Sequence, residues 1–104
     1  MTAYQILYWY DIPVQVRAGT RRDRASVELT RRFQLAVDNA AMAAGLTDTD
    51  AYLAGFVWSE LLERDGTPAQ VATEVAAELE DQFTTINWRQ TAANIHKASS
   101  DTSP

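Results

Sequence analysis

Apolar residues recur at every second position along residues 4–18. Every even position in this stretch is apolar or aromatic: Tyr4, Ile6, Tyr8, Tyr10, Ile12, Val14, Val16 and Ala18. A period of two over this length predicts β-strand, and aromatic and β-branched residues are typical of strands. We expect the even side chains to pack on a core. Leu7 and Trp9 are then the main apolar members of the opposite, more open face.

Pro13 lies within this alternating stretch and has no backbone N–H to donate. A straight central strand cannot pass through a proline with its hydrogen-bond ladder intact. We therefore expect a bend, a β-bulge or an edge position at Ile12 and Pro13.

The next segment contains a turn signal followed by a shorter alternation. Gly19 can take the positive φ that tight turns need, and residues 25–29 again alternate between apolar and polar. This pattern predicts a β-hairpin with residues 14–18 as its first strand and residues 24–29 as its second, with arginines in or beside the loop. A helix that begins early, near Asp23 or Ser26, is the alternative interpretation.

A helical pattern replaces the alternation after Thr30. Thr30 suits the N-cap position, because its side-chain oxygen can accept an early backbone N–H. Gly45 suits the end of the helix. Apolar residues recur at the spacing of one buried helix face, at Phe33, Val37, Ala40, Ala41 and Ala44.

An unbroken apolar run occupies residues 52–58, after a polar loop. Such a run is typical of a central strand covered on both faces, although periodicity alone does not separate it from helix. Its aromatic residues and Gly55 favour a strand over residues 52–62. Gly55 would also let a neighbouring segment approach closely.

A second helix start follows at Thr67. Thr67 can cap the helix, Pro68 suits the first helical position, and Gln70 completes a capping box. Apolar residues then recur every four positions and predict a buried face, at Val71, Val75, Leu79 and Phe83.

The pattern weakens after residue 84. Trp88, Ala92 and Ile95 indicate one short helix, and the Ser/Thr/Asp/Pro-rich end is typical of disorder. We therefore predict a single α+β domain over residues 1–84 and a C-terminal extension over residues 85–104, with the last residues disordered.

These elements together predict an α+β fold, with an antiparallel sheet of three to four strands and two helices packed on one face. Two helices cannot cover both faces of such a sheet. An open face with apolar members indicates a protein partner or self-association.

The charge is distributed unevenly along the sequence. The net charge is −5, but residues 17–32 hold six arginines and two acids, a net +4, whereas residues 33–83 hold one arginine and ten acids, a net −9. This separation indicates oriented contact with a partner. The acidic total argues against a nucleic-acid-binding protein. Neither a signal peptide nor a membrane span is evident, so we expect a cytoplasmic protein that binds neither nucleic acid nor membrane.

Catalytic and metal-binding motifs are not evident in the sequence. With one histidine, His96, and no cysteine, no ligand spacing for a transition metal can be recognised. No Gly-rich phosphate loop is present either. We expect no metal and no cofactor. Tyr8, Tyr10 and Trp58 are the candidate lining of a pocket between the sheet and the helices.

Three segments resemble a known family. The segments YWYDIPVQV, RRFQLAVDNAAMAAG and TDTDAYL are similar, in this order, to the small bacterial domain family described as virulence factor, over residues 4–65. Tyr10 departs from the resemblance, which leads us to expect a charged residue, usually arginine, at that position. The resemblance implies an accessory role beside folate-linked one-carbon or methyl-transfer enzymes, and it supplies no catalytic residues.

The favoured hypothesis is a small non-catalytic accessory subunit that docks on a larger enzyme through the aromatic strand face and the Arg-rich hairpin. Guanidinium groups pair well with carboxylates and phosphates, although a solvated hairpin rim explains the arginines equally well. The candidate partner-binding residues are Trp9, Arg17, Arg21, Arg22, Arg24 and Trp88. Two alternatives stay open: a small enzyme or ligand-binding protein that uses the pocket, and a homo-oligomer without a ligand.

Overall fold

A computed structural model describes residues 1–46 and 48–101, with side chains as far as Ile95. The described strands are β1 (Thr2–Trp9), β2 (Ile12–Gly19), β3 (Arg24–Glu28), β4 (Phe56–Trp58) and β5 (Leu62–Arg64). The described helices are α1 (Arg31–Ala43), α2 (Thr49–Leu53), α3 (Pro68–Gln82) and α4 (Trp88–Asp101). The predicted α+β class with an antiparallel sheet is confirmed, and the described residues form more strands and helices than we expected.

The strands form one antiparallel sheet with the order β3-β2-β1-β4. The short strands β4 and β5 share one edge, because β4 pairs with the C-terminal half of β1 and β5 with its N-terminal half. α3 packs across β1, β2 and β3, and α1 packs against β2 and α4. One face of the sheet is therefore covered by α3.

The alternating stretch of residues 4–18 is two strands, not one. β1 and β2 are joined by a tight turn at Tyr10 and Asp11, where Tyr10 has a φ of 56°. The cross-strand pairs are Trp9 with Ile12 at the tip but Leu7 with Gln15 further on, so one extra residue lies in β2. The expected irregularity near Pro13 is thus present, as this β-bulge.

The second hairpin is confirmed. β2 and β3 pair antiparallel from Gln15 with Glu28 to Gly19 with Arg24. Gly19 has a φ of +99°, which favours glycine, and the loop is closed by the Thr20 N–H donating to the Asp23 carbonyl at 3.1 Å. The alternative of an early helix near Asp23 or Ser26 is wrong.

The predicted end of α1 at Gly45 and the predicted start of α3 at Thr67 are confirmed in detail. Gly45 follows α1 with a φ of +75°, and the Leu46 N–H donates to the Ala41 carbonyl at 2.8 Å, which is the Schellman arrangement. At the start of α3, Thr67 and Gln70 form both hydrogen bonds of the capping box. These local bonds satisfy backbone groups that a helix end leaves unpaired.

The apolar run at residues 52–62 does not form a central strand. Tyr52 and Leu53 end the short helix α2, and only Phe56–Trp58 is strand, at an edge of the sheet. Val57 is 60% exposed, so the prediction of a strand covered on both faces is wrong. Gly55 and Tyr52 of this run pack on Trp9. This contact joins distant parts of the chain, so the local periodicity does not reveal it.

The core lies between the sheet and the helices and extends into α4. Thr91, Ala92 and Ile95 of α4 are buried, and the Thr91 hydroxyl donates to the Asp11 carboxylate at 2.6 Å. The segment that we assigned to a C-terminal extension therefore contributes to the core as far as Ile95. Residues 102–104 lie outside the described part of the chain, so the disorder expected at the end stays a prediction.

Glu80 joins the C-terminal part of α3 to the start of α1. Its carboxylate accepts the Thr30 N–H at 2.8 Å, the Thr30 hydroxyl at 3.0 Å and the Arg32 guanidinium at 3.0 Å. The Thr30 hydroxyl is thus directed toward Glu80 and forms no capping hydrogen bond within its own helix. Partial burial of the carboxyl raises the pKa of Glu80, but the hydrogen bonds from Thr30 and Arg32 outweigh it, so the pKa lies below its usual value.

We expect this carboxylate to make the stability of the protein pH-dependent. A carboxyl whose pKa is lower in the folded than in the unfolded chain stabilises the fold above the unfolded pKa, and this contribution is lost as the pH falls through the folded pKa. Glu80→Gln should therefore cost about 1 kcal/mol near neutral pH, since the site is partly exposed. The cost should shrink in acid. Urea unfolding at neutral and acid pH measures it, with Asp81→Asn as the exposed control; equal costs at both pH values would contradict the prediction.

Candidate partner-binding face

The sheet face opposite α3 carries a half-buried set of side chains. Strand residues alternate between the two faces, and Ile6 and Val16 are buried on the α3 side. Their neighbours in the strands therefore point the other way, and they pair across the strands as Gln5 with Arg17, Leu7 with Gln15, and Leu7 with Trp58. We call these five residues the open face: Gln5, Leu7, Gln15, Arg17 and Trp58.

Arg17 is the charged residue of the open face, and two contacts fix its side chain. Its guanidinium lies 4.1 Å from the centre of the Trp58 ring, and its Nη2 donates to the Gln5 Oε1 at 3.3 Å. Gln5 is in turn fixed by its Nε2, which donates to the Ser59 carbonyl at 3.0 Å. A guanidinium stacked on an indole keeps its outer N–H donors available while its rotamer is restricted. The face thus presents an oriented cation beside a large aromatic ring.

The positive charge continues from Arg17 into the loop of the second hairpin. Arg21, Arg22 and Arg24 are all exposed. The ion pairs of residues 1–46 and 48–95 join Arg32 to Glu80, and Arg64 to Glu74 and Glu78. Within this range Arg21 and Arg22 of the loop, and Arg24 at the start of β3, therefore have no internal carboxylate partner, which leaves their charge available to another molecule.

A groove of about 400 Å³ adjoins the open face. Leu7, Gln15 and Phe56 line it from the sheet. Glu28, at the end of β3, lines it together with Arg31 and Gln34 of α1. Polar and apolar groups contribute about equally to its lining, so the groove suits a polar side chain or a small polar ligand better than a purely apolar ligand.

Trp9 does not lie on the open face, and our expectation that it anchors a partner there is wrong. Its side chain is 0% exposed, and its Nε1 donates to the Tyr52 carbonyl at 2.8 Å. The Tyr10 ring lies edge-on at 4.7 Å, and the Tyr52 ring lies at 5.8 Å. Trp9 shares a strand face with Leu7, but α2 and the turn cover this end of the sheet.

Trp88 is half-buried at the start of α4. It lines shallow grooves with residues of α1, such as Leu35 and Asn39, and none of the loop arginines lines these grooves. The structure therefore does not join Trp88 to the Arg17 region, and a partner-binding role for it stays a separate prediction.

The three residues proposed as a pocket lining do not come together. Tyr8 pairs with Val57 whereas Trp58 pairs with Leu7, so Tyr8 and Trp58 point to opposite faces of the sheet. Tyr10 sits in the first turn, beside Asp11 and α4. Partial burial, and to a smaller extent the nearby Tyr4, raise the pKa of the Tyr8 phenol. The predicted pocket is wrong because the residues were assigned to it without knowledge of their faces.

Sequence reasoning missed Gln5 and Gln15 as members of the candidate site, because they looked like ordinary polar positions. It named Trp58 for a pocket and a buried strand, not for this face. The even spacing of Gln5, Leu7, Gln15 and Arg17 was the available signal, since it places them on one face once the strands are paired.

In the part of the chain that the structure describes, no cluster of three or more His, Cys, Asp or Glu side chains is placed to hold a metal ion. Among the helices described, none is both long and apolar enough to cross a membrane. The side chain of His96 lies outside the described range.

A family model described as virulence factor matches residues 7–90, which include most of the sheet, α3 and the whole open face apart from Gln5. No curated protein and no solved structure gives a significant match to the chain.

Proposed function

Since the chain belongs to the virulence factor family, we propose that it is a small non-catalytic accessory subunit, cytoplasmic, that docks on a larger enzyme through its open face. The observation that carries the proposal is the Arg17–Trp58 stack on the sheet face opposite α3. An aromatic anchor with charged neighbours is the usual composition of an energetically important contact.

The charge of the hairpin defines the chemistry of the partner. Arg21, Arg22 and Arg24 are exposed beside the open face and have no carboxylate partner among the described side chains. Guanidinium groups pair bidentately with carboxylates, so the partner surface is acidic around an apolar or aromatic centre. The family resemblance implies that this partner belongs to folate-linked one-carbon or methyl-transfer metabolism.

A second function is favoured by the groove beside the open face. Its volume of about 400 Å³ and its mixed lining suit a small polar ligand. The chain would then be a ligand-binding protein or a small enzyme, with Arg31 and Gln34 beside the ligand. A thermal-shift screen against small anionic metabolites tests this alternative, because a ligand that binds only the folded chain raises the melting temperature.

We expect docking to depend on Trp58 and on the loop arginines in different ways. Trp58→Ala should weaken binding to the purified partner by about 2 kcal/mol, the size of a central contact. Arg21→Glu with Arg22→Glu should mainly slow association and reduce its salt dependence, since peripheral charges steer encounter. The partner is first identified by comparing captures from host extract with the wild-type chain and with Trp58→Ala.

The control for this experiment is Asp81→Lys, an exposed charge reversal near the end of α3. Titration calorimetry and stopped-flow kinetics then separate affinity from association rate. Unchanged affinity for Trp58→Ala and for the double arginine variant, with both variants folded, would refute docking through this face.

A further inference from the structure

The sheet ends on one side at β3, and no strand among the described residues pairs with its outer backbone groups. The Thr20 N–H donates to the Asp23 carbonyl and the Leu29 N–H donates to the Val14 carbonyl. Hydrogen-bonded pairs alternate along an antiparallel ladder, so between these two points residues 25 and 27 bond to β2. The N–H and C=O groups of Arg24, Ser26 and Glu28 therefore point outward, away from the sheet.

The two edges of the sheet differ in how well they are protected. The edge formed by β4 and β5 is broken into two strands of three residues each. β3 has five residues in regular register with β2, and it contains no proline. Natural sheets blunt edges with prolines, bulges, very short strands and charged side chains. Of these devices β3 carries only charges, Arg24 and Glu28, and the two are of opposite sign.

The charges of β3 are arranged symmetrically. In the sequence Arg24-Ala25-Ser26-Val27-Glu28, opposite charges lie at equal distances from Ser26. We propose that β3 pairs antiparallel with β3 of a second copy of this chain, with Ser26 on the twofold axis. Arg24 of each copy then lies opposite Glu28 of the other, and each outward backbone group finds a partner.

Charge selects this register from the alternatives. Only even shifts place outward-facing residues opposite one another and keep the ladder. A shift by two residues puts Arg24 or Glu28 opposite Ser26, and a shift by four puts two arginines or two glutamates opposite one another, which is destabilising. On the α3 side of the sheet, the half-buried Ala25 meets Val27 of the other copy, an apolar pair on each side of the axis.

The helix above β3 leaves room for a second copy. The bonds of Glu80 to Thr30 and Arg32 show which side of α3 faces the end of β3. Positions 3, 7 and 11 residues before Glu80 lie on that same side, and they are the small, exposed residues Ala77, Thr73 and Ala69. A second α3 can therefore approach across the twofold axis and add contact area to the short strand ladder.

This assembly does not use the Arg17–Trp58 stack on which the docking proposal rests. Pairing through the backbone edge of β3 engages Arg24 and leaves Arg17 and Trp58 exposed. The assembly would present two copies of the open face, related by the twofold axis. A purified chain without any other protein is sufficient to test it.

We expect the purified full chain to be a dimer that dissociates on dilution, as measured by sedimentation velocity over a concentration series. Arg24→Glu alone or Glu28→Arg alone places like charges opposite one another at both ends of the ladder. Each should raise the dissociation constant roughly tenfold. An equimolar mixture of the two variants should restore the dimer, because every pair across the axis is then Glu with Arg.

Two further variants separate this proposal from the proposed function. Ser26→Pro removes an outward N–H that β2 does not use, and it should abolish the dimer while thermal melts show a folded chain. Trp58→Ala, on the opposite edge strand β4, should leave the dimer unchanged although it impairs docking. A wild-type chain that stays monomeric throughout the series, or a mixture that fails to restore association, would overturn the proposal.

Discussion

Replacing Trp9 by alanine is expected to lower the free energy of unfolding by about 4 kcal/mol, the range observed for deleting a large buried aromatic side chain. Trp9 is 0% exposed, so the cavity left behind would be closed on all sides. The variant also removes the indole N–H that donates to the Tyr52 carbonyl, which leaves that carbonyl to find another donor. Any loss of partner binding by Trp9→Ala then follows from unfolding.

Chemical unfolding of the free protein measures this effect, and two variants calibrate it. Trp9→Phe keeps most of the apolar volume but not the hydrogen bond, so it should cost clearly less than alanine. Trp58→Ala removes a half-buried tryptophan from the open face and should also cost clearly less. If Trp9→Ala lost less than about 1 kcal/mol, Trp9 would be no part of the core, and its role as a surface contact would have to be reconsidered.

The position of Trp9 shows where the alternating pattern misleads. A two-residue turn places Trp9 opposite Ile12, an odd residue opposite an even one. The bulge adds one residue to β2. Beyond it, even-numbered residues again lie opposite even-numbered residues, as Ile6 does with Val16. The turn and the bulge cancel in the sequence pattern, and the period of two therefore runs through both strands as if they were one.

The turn itself was hidden for a second reason. Tight hairpin turns are normally signalled by glycine, asparagine or aspartate at the position with positive φ. Here Tyr10 takes that conformation, held by its N–H donating to the Gly55 carbonyl at 2.9 Å and by its ring against Trp9. The cause lies 45 positions away in the chain, in the segment before β4, so no local pattern could reveal it.

Elements whose causes are local were predicted well. The capping box at Thr67 and the helix stop at Gly45 depend on residues within a few positions, and the structure has both. The hairpin at Gly19 is local in the same sense. The candidate site, in contrast, is built across strands: Arg17 and Trp58 meet only because β1 lies between β2 and β4. Its residues were all visible in the sequence, but their common face was not.

Gly19 connects the stability of the fold to the presentation of the arginines, and Gly19→Ala is expected to cost about 3 kcal/mol. Its φ of +99° is unfavourable for any residue with a Cβ. An added Cβ would overlap the carbonyl oxygen of Asp23 and press on the ring of Pro68 at the start of α3. Because the Asp23 carbonyl closes the loop, the backbone must move, and relief through a side-chain rotation is not available.

Gly45→Ala is the matched control, because Gly45 also has positive φ, +75°, but has nothing within contact distance of an added Cβ. It should cost only about 1 kcal/mol, the backbone term alone. Unfolding in urea compares the two variants. The excess cost at Gly19 measures how firmly the loop is held, and a firmly held loop keeps Arg21 and Arg22 in one orientation toward the partner. Equal costs for the two variants would mean that the loop adjusts easily. The arginines would then reach the partner in many orientations and not in one.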